Sequence, residues 1–276
     1  MEAMEQNLHQ LELITKQATT YGAQLISFPE LYLSGYAAPP EILHGLALET
    51  NGKILARVAP VAARNKIAII CPYPERAWVG GETRFYDSIA MFDSNGALVK
   101  NYRKTHLWGP DEKKIWNLGH SHDEEEAPFS VHAVNGIEVG LLNCYEAEFP
   151  ELTRKLALLG AKLVVIPTAA DFSTKLSTGK WTSLAYPDIT KSLIPAHAWE
   201  NMLFVAYCNR CLSERMDGEV VGHYLGNSMV ANPHGEIHLA ARNEVTLLIA
   251  DCVPADYGPT HPEGTNYLQD RRPEIY

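Results

Sequence analysis

Short apolar runs, each cut off by a proline, a glycine or a polar residue, constrain this chain more than any other feature. Gln24-Leu25-Ile26-Ser27-Phe28, Ile67 to Cys71, Leu163-Val164-Val165-Ile166 and Leu203 to Tyr207 read as short buried strands. Between them lie segments with helical spacing. Residues 4 to 21 carry Leu8, Leu11, Ile14, Ala18 and Tyr21 on one face. Asn51 to Lys66, which must start, kink or divide at Pro60, is a second predicted helix, and Phe149 to Leu159 and Pro187 to Asn201 are two more. Three turns punctuate the pattern. Asp93-Ser94-Asn95-Gly96 joins Phe85 to Phe92 with Ala97 to Tyr102, Asn135-Gly136 separates two further strands, and Asn232-Pro233-His234-Gly235 lies between Asn227 to Ala231 and Glu236 to Leu239. Thr246 to Ala250 is the last predicted strand. Helices alternating with strands, interrupted by hairpins, imply α/β layers with mixed rather than purely parallel sheets. No linker or low-complexity stretch divides the chain, so residues 1–276 read as one domain.

Three reactive side chains stand where apolar runs stop. Glu30 follows Phe28-Pro29, Lys104 follows Tyr102-Arg103, and Cys144 ends Gly140-Leu141-Leu142-Asn143 just before an acidic segment containing Pro150. A lone cysteine at a strand end is more often a small buried apolar residue than a nucleophile. Strand ends in α/β proteins also point into ligand crevices, and a thiol of ordinary pKa, about 8.5, needs partners to react at neutral pH. A carboxylate can take its proton and a lysine can hold the developing oxyanion, so the three together form an acyl-transfer set. Taken singly, each fits a separate surface ion pair as well.

Charge and cysteine usage remove other classes. A net charge of −10 without a lysine or arginine run opposes nucleic-acid binding. No apolar stretch approaches the roughly 18 residues of a membrane span, and Met1 to Gln10 is polar and acidic, unlike a signal peptide. Five cysteines, an odd number scattered over the chain, argue against a disulfide framework and for reduced thiols in the cytoplasm.

The text around the three residues resembles the nitrilase, or carbon–nitrogen hydrolase, superfamily. The matching blocks are Phe28-Pro29-Glu30-Leu31-Tyr32-Leu33-Ser34-Gly35-Tyr36, Tyr102-Arg103-Lys104-Thr105-His106-Leu107 and Asn143-Cys144-Tyr145-Glu146-Ala147-Glu148-Phe149-Pro150-Glu151, in that order. Weaker similarity runs through Gly160-Ala161 to Pro167, Glu200-Asn201 and Asn232-Pro233-His234-Gly235. The resemblance implies a four-layer α-β-β-α sandwich with mixed sheets, no metal or other cofactor, and a homodimer or larger assembly. It implies Glu30 as general base, Lys104 as stabiliser of the tetrahedral intermediate, Cys144 as nucleophile and the Tyr145 N–H in the oxyanion hole. Glu112, in Gly109-Pro110-Asp111-Glu112-Lys113, matches a second glutamate that orients the substrate amide; the lesser alternative is a solvated residue of a polar loop running from Asp111 to Glu126. Tyr32, Trp108, Phe172 and Trp181 are candidates for the acyl pocket. Members usually begin with a strand ahead of the first helix, whereas this chain opens almost directly into that helix, so a core strand's place is expected to stand empty. His197 stands where many members have an arginine.

The expected activity is hydrolysis of a small carboxylic acid amide through a cysteine thioester, with ammonia and the acid released. Nitrile or N-carbamoyl hydrolysis by the same machinery is the alternative, and Tyr145-Glu146 after the thiol favours the amidase type. A non-catalytic scaffold keeping the fold would have no need of all three residues. A zinc site on His120-Ser121-His122-Asp123 lacks a fixing strand or helix, and Cys208-Asn209-Arg210-Cys211 has no second pair.

Overall fold

The computed structural model describes residues 2–120, 127–172, 180 and 189–275. Its first half builds one sheet. Helix α1 (Glu2–Thr20) leads into β1 (Leu25–Ser27), then come α2 (Pro40–Leu46), α3 (Val58–Asn65), β2 (Ala68–Val79), β3 (Glu82–Phe92), β4 (Leu98–Arg103) and α4 (Gly109–Ile115). The strands lie in the order β1-β2-β3-β4, with β1 parallel to β2 and the rest antiparallel. The second half contributes β5 (Val131–Val134), β6 (Ile137–Leu141), α5 (Pro150–Leu158), β7 (Leu163–Thr168), α6 (Ile189–Asn201), β8 (Phe204–Asn209), β11 (Met229–Ala231) and β12 (Ile237–Ala240). These strands form a six-stranded sheet, β12-β11-β8-β7-β6-β5, with β6, β7 and β8 mutually parallel. Between β8 and β11, β9 (Cys211–Met216) and β10 (Glu219–Leu225) form a separate antiparallel hairpin.

Side-chain alternation along the apolar runs sorts three cores and so sets the layers. Cys71, Tyr73, Ala90 and Phe92 face outward onto α1 and α3, where Met4, Leu8, Leu11 and Ala18 form one buried stripe. Ile70, Ile89, Met91 and Tyr102 face the other way and meet Val139, Leu141, Val165 and Phe204 of the second sheet. Val164, Ile166 and Val205 turn outward again onto Leu152 and Leu156 of α5 and Ile194 and Ala198 of α6. The result is the expected α-β-β-α sandwich with mixed sheets.

Several local expectations are corrected. The helix expected over Asn51 to Lys66 begins only at Val58, after a single 3-10 turn at Leu55–Arg57, and Pro60 sits in its first turn, where no intrahelical N–H is required. Strand β2 runs on through Pro72 and Pro74 and β7 through Pro167, where the sequence pattern suggested stops. In each case the neighbour on one side has already ended: β1 stops opposite Ile70, and β6 is last paired at Leu141 with Val165. A missing proline N–H costs nothing on an unpaired side. Asp111 to Ile115 belongs to α4 rather than to a polar loop. Thr246 to Ala250 forms no strand. It borders a cavity of about 340 Å³ that also reaches Leu25 and Ser27 on the free edge of β1, and no described strand lies between to pair with either. The hairpin β9/β10 was not anticipated, because its exposed, charged residues carry no apolar alternation.

Among the described residues no helix is long and apolar enough to cross a membrane.

Candidate active site

All three strand exits open between the two sheets. Glu30 follows β1, and its loop is tied to the second sheet by a hydrogen bond from the Glu30 N–H to the Thr168 carbonyl. The unanticipated hairpin clamps the same loop. Arg210, just before β9, donates through Nε to the Glu30 carbonyl (2.9 Å) and through Nη2 to that of Leu31 (2.7 Å). Glu214 on β9 accepts from the Tyr36 N–H (3.0 Å) and from the Tyr224 hydroxyl (2.6 Å). Lys104 leaves β4 with its N–H donating to the Asp87 carbonyl on β3 (2.9 Å). Cys144 stands three residues beyond β6 at φ +51°, the left-handed region that costs a non-glycine residue about 1–3 kcal/mol, at the head of a 3-10 turn running to Glu148.

One buried glutamate locks the cysteine turn to the lysine strand. Glu146 Oε2 accepts from the Asn143 N–H (2.7 Å) and the Tyr102 hydroxyl (2.6 Å), while Oε1 accepts from the Thr105 N–H (2.6 Å). Its charge is matched entirely by donors, so it fixes geometry.

Lys104 is the hub. Its ammonium donates to Glu30 Oε1 at 2.6 Å and to Glu112 Oε1 at 2.8 Å, and lies 3.7 Å from Asp87 Oδ2. All four side chains are buried. Glu112 is held from α4, where Oε2 accepts the Trp108 N–H (2.6 Å) and Oε1 also accepts the Tyr36 hydroxyl (2.7 Å). One oxygen each of Glu30, Asp87 and Glu112 lie within 4.8 Å of one another, a spacing that suits a cation, and the lysine ammonium is the cation bonded there.

The electrostatics follow from burial and from this crowding. Burial by itself lowers Lys104, but the Glu112 and Glu30 charges outweigh it and hold the ammonium well above its ordinary range. Burial first, then the Glu30 charge, pushes the Cys144 thiol well up, with Lys104 partly offsetting them. Burial raises Glu112 and Lys104 pulls it back. The resting site therefore holds a neutral thiol beside an ammonium, and the thiol must lose its proton to a base as it attacks.

Cys144 opens into a cavity of about 40 Å³ whose wall includes Tyr36, Trp108, Ala169, Ile194 and Tyr207. Glu148 and Asp171 are its acidic members, and burial followed by the Glu30 charge raises Asp171 to about 6.

Of the residues named from sequence, the structure brings Glu30, Lys104, Glu112 and Cys144 into one cluster, and puts Tyr145 and Trp108 on the cavity wall. Tyr32 and Phe172 are placed differently from those two. Tyr32 packs against Phe28, ring centroids 4.6 Å apart, in the core beneath, and Phe172 is 53% exposed. Trp181 and the residues 121–126 lie outside the described residues. His197 is buried and its Nε2–H donates to the Ala147 carbonyl (2.7 Å), bracing the cysteine turn from α6. Sequence reasoning missed Asp87, Glu146, Arg210 and Glu214. Asp87 did carry a signal: it occupies the same alternating face of β3 as Ile89 and Met91, where an acid has no place without a partner.

The sandwich and the buried carboxylate–lysine–thiol cluster define a hydrolase of carbon–nitrogen bonds other than peptides. Residues 2–262 match the model of the carbon–nitrogen hydrolase family, and the chain belongs to that family as an amidase-type enzyme of the nitrilase superfamily. It is 31% identical over 249 residues to an (R)-stereoselective amidase of Pseudomonas sp., covering 90% of this chain and 79% of that protein. It is 25% identical over 279 residues to the N-carbamoylputrescine amidase of Arabidopsis thaliana, covering 98% and 88%. Its structure resembles that of the amidase from Nesterenkonia sp. AN1 with a TM-score of 0.76 at 30% identity, covering 99% of this chain and 92% of the other; that structure shows acrylamide added to the active-site cysteine.

Proposed function

We propose that the protein hydrolyses the amide of a small carboxylic acid through a thioester on Cys144. The observation that carries this reading is the Lys104 ammonium bridging Glu30 and Glu112 at 2.6 and 2.8 Å beside a neutral thiol on a strained turn. Glu30 takes the thiol proton as sulfur bonds to the amide carbon. The oxyanion that forms is held by Lys104 and the Tyr145 N–H. Glu30 then gives its proton to the amide nitrogen, the C–N bond breaks and ammonia leaves. Glu112 orients the amide and keeps Lys104 in place. Water next attacks the thioester while Glu30 takes its proton, the C–S bond breaks, and the acid and the thiol are restored.

A cavity of about 40 Å³ holds only a few water-sized volumes, which supports a short acyl group over a bulky one. Nitrile and N-carbamoyl substrates would use the same residues, and the similarity to an N-carbamoylputrescine amidase keeps the N-carbamoyl reading in view. The reading includes a homodimer or larger assembly, for which family membership is the support, and a cytoplasmic location, for which the odd number of scattered cysteines is the support. The test is a panel of short aliphatic amides, nitriles and N-carbamoyl compounds assayed for ammonia, with intact-protein mass spectrometry on a slow amide. Ammonia release from the amides, with an acyl adduct that disappears in Cys144→Ala, is the expected result. Unchanged turnover in that variant would sink the mechanism.

A further inference from the structure

The buried polar cluster contains more acid than its one lysine can serve. Glu30, Glu112 and Asp87 together would bring three negative charges to a single ammonium. Glu112 is well supplied, since Lys104 and the Tyr36 hydroxyl reach one oxygen and the Trp108 N–H reaches the other. Asp87 is not. Its Oδ1 accepts from Asn143 Nδ2 at 3.0 Å, and its Oδ2, 3.7 Å from the lysine nitrogen, is beyond hydrogen-bond distance.

Two oxygens in the cluster, Glu30 Oε2 and Asp87 Oδ2, are fully buried and reached by no donor. One oxygen of each side chain lies within 4.8 Å of one of the other's. A buried acceptor without a donor is costly, and two in one cluster double the cost unless a donor serves them. One proton satisfies both, because it makes one carboxyl a donor to the other.

We infer that Asp87 and Glu30 share a single proton between Asp87 Oδ2 and Glu30 Oε2, and that Asp87 is the positioning residue that holds the Glu30 carboxyl in place as a base. The second half rests on the proposed amide chemistry; the shared proton does not. The groups facing Asp87 are Glu30 from the loop after β1, Lys104 from the end of β4, Glu112 from α4, and Asn143 beside Cys144. Burial first, then the Glu30 charge, raises Asp87 well above the ordinary carboxylate range, against the pull of Lys104, which agrees with a proton retained at neutral pH. The arrangement follows the rule for neighbouring buried carboxyl groups, in which one holds its proton because both charges together are unfavourable.

The pair also explains how a base can sit in such a site. With the proton held from the Asp87 side, the Glu30 carboxyl faces Lys104 and Cys144 as the base, and the strength of that hold bears on the acid limb of the pH–rate profile.

Infrared spectroscopy of the unaltered protein and of Asp87→Asn tests the proton directly. Asparagine keeps the shape, an acceptor for Asn143 and an N–H for Glu30. At neutral pH the unaltered protein is expected to show the carbonyl stretch of a neutral carboxylic acid that persists well above the ordinary carboxylate range and is lost in Asp87→Asn. A difference spectrum without that band overturns the inference, whether or not any amide is turned over. Should Asp87→Asn fail to fold, the pH titration of the band in the unaltered protein still decides, since a shared proton requires the band to survive neutral pH. If amides are substrates, kcat/KM against pH is the second readout. An amide N–H is a weaker donor than a carboxylic acid, so the acid limb moves up by about one pH unit in Asp87→Asn. A purely space-filling role for Asp87 leaves that limb where it was, and that outcome refutes the positioning role.

Discussion

Two buried acids stand on opposite faces of the first sheet and are solved in opposite ways. On the face toward the helices, Glu75 of β2 accepts from Arg103 twice (Nε at 3.0 Å, Nη2 at 2.7 Å), from the Ser88 hydroxyl at 2.6 Å, from Asn101 at 3.0 Å and from Thr50 at 3.0 Å. On the face toward the second sheet, one residue along in both β3 and the strand that bears Arg103, Asp87 and Lys104 share their site with two further carboxyls. Burial alone would raise Glu75, yet the hydrogen bonds and charge of Arg103, then Ser88 and Asn101, bring it below its ordinary value. Asp87, with fewer donors and more acids, goes up. Burying charge is therefore not what marks the site; leaving it under-supplied with donors is. A fully satisfied cluster holds the fold, whereas a partly satisfied one keeps protons available to move.

The contrast is broken most severely by Cys144→Ala. Amide turnover is expected to fall by at least about 10⁴-fold with the fold intact, as removal of a nucleophile does elsewhere. Steady-state ammonia release and the far-ultraviolet spectrum check both halves. Glu75→Gln should do the reverse. Breaking a buried, charge-assisted pair costs about 3 kcal/mol in denaturant unfolding, while kcat per folded molecule stays at the wild-type value. A large loss of kcat there would erase the distinction between the two faces.

The pH dependence of stability gives a finer comparison, because the two acids act with opposite sign. Glu75, depressed on folding, contributes stability that is present above its unfolded value of about 4.3 and is lost as pH falls through the folded value. Asp87, raised on folding, contributes stability present below its unfolded value of about 3.9 and lost as pH rises toward and through the folded value. Unfolding free energies measured from acid to neutral pH should therefore lose an acid-side fall in Glu75→Gln. In Asp87→Asn they should lose a decline toward neutral pH, leaving that variant relatively more stable near pH 7. The smallest expected effect is Ser88→Ala, which removes one of several donors to Glu75 and costs about 1–2 kcal/mol of stability without altering the acid limb of activity. An altered limb would mean that the two faces communicate.

Much of this was legible in the sequence because it is written locally. The apolar runs fix which residues face which core: Ile70 and Cys71 are adjacent and must point to opposite layers. The Asn135-Gly136 turn appears with both residues at positive φ, +49° and +81°, as the pair suggests. Glu30, Lys104 and Cys144 could be named because each follows an apolar run and sits in a block that resembles one family. Glu112 could be named but not placed. Nothing local distinguishes a helical glutamate buried against a lysine from one in a solvated loop, and the Glu112 carboxyl meets Tyr36 and Lys104 only in the fold.

What the tertiary structure alone decided depends on partners distant in sequence. Sequence names Tyr32 as a pocket candidate, whereas its packing on Phe28 after the turn at Leu31, φ +47°, is decided by the fold. Thr246 to Ala250 reads as a strand but pairs with no strand among the described residues, and a strand exists only by pairing. Arg210 and Glu214 were invisible as parts of the site, since they reach the Glu30 loop across about 180 residues of chain. The sequence determined the layers and the identity of the reacting groups, because side-chain alternation and strand termination are properties of neighbouring residues. Only the fold decided how many carboxyls surround Lys104 and how many donors each receives, because a buried group's charge state is set by everything that packs against it.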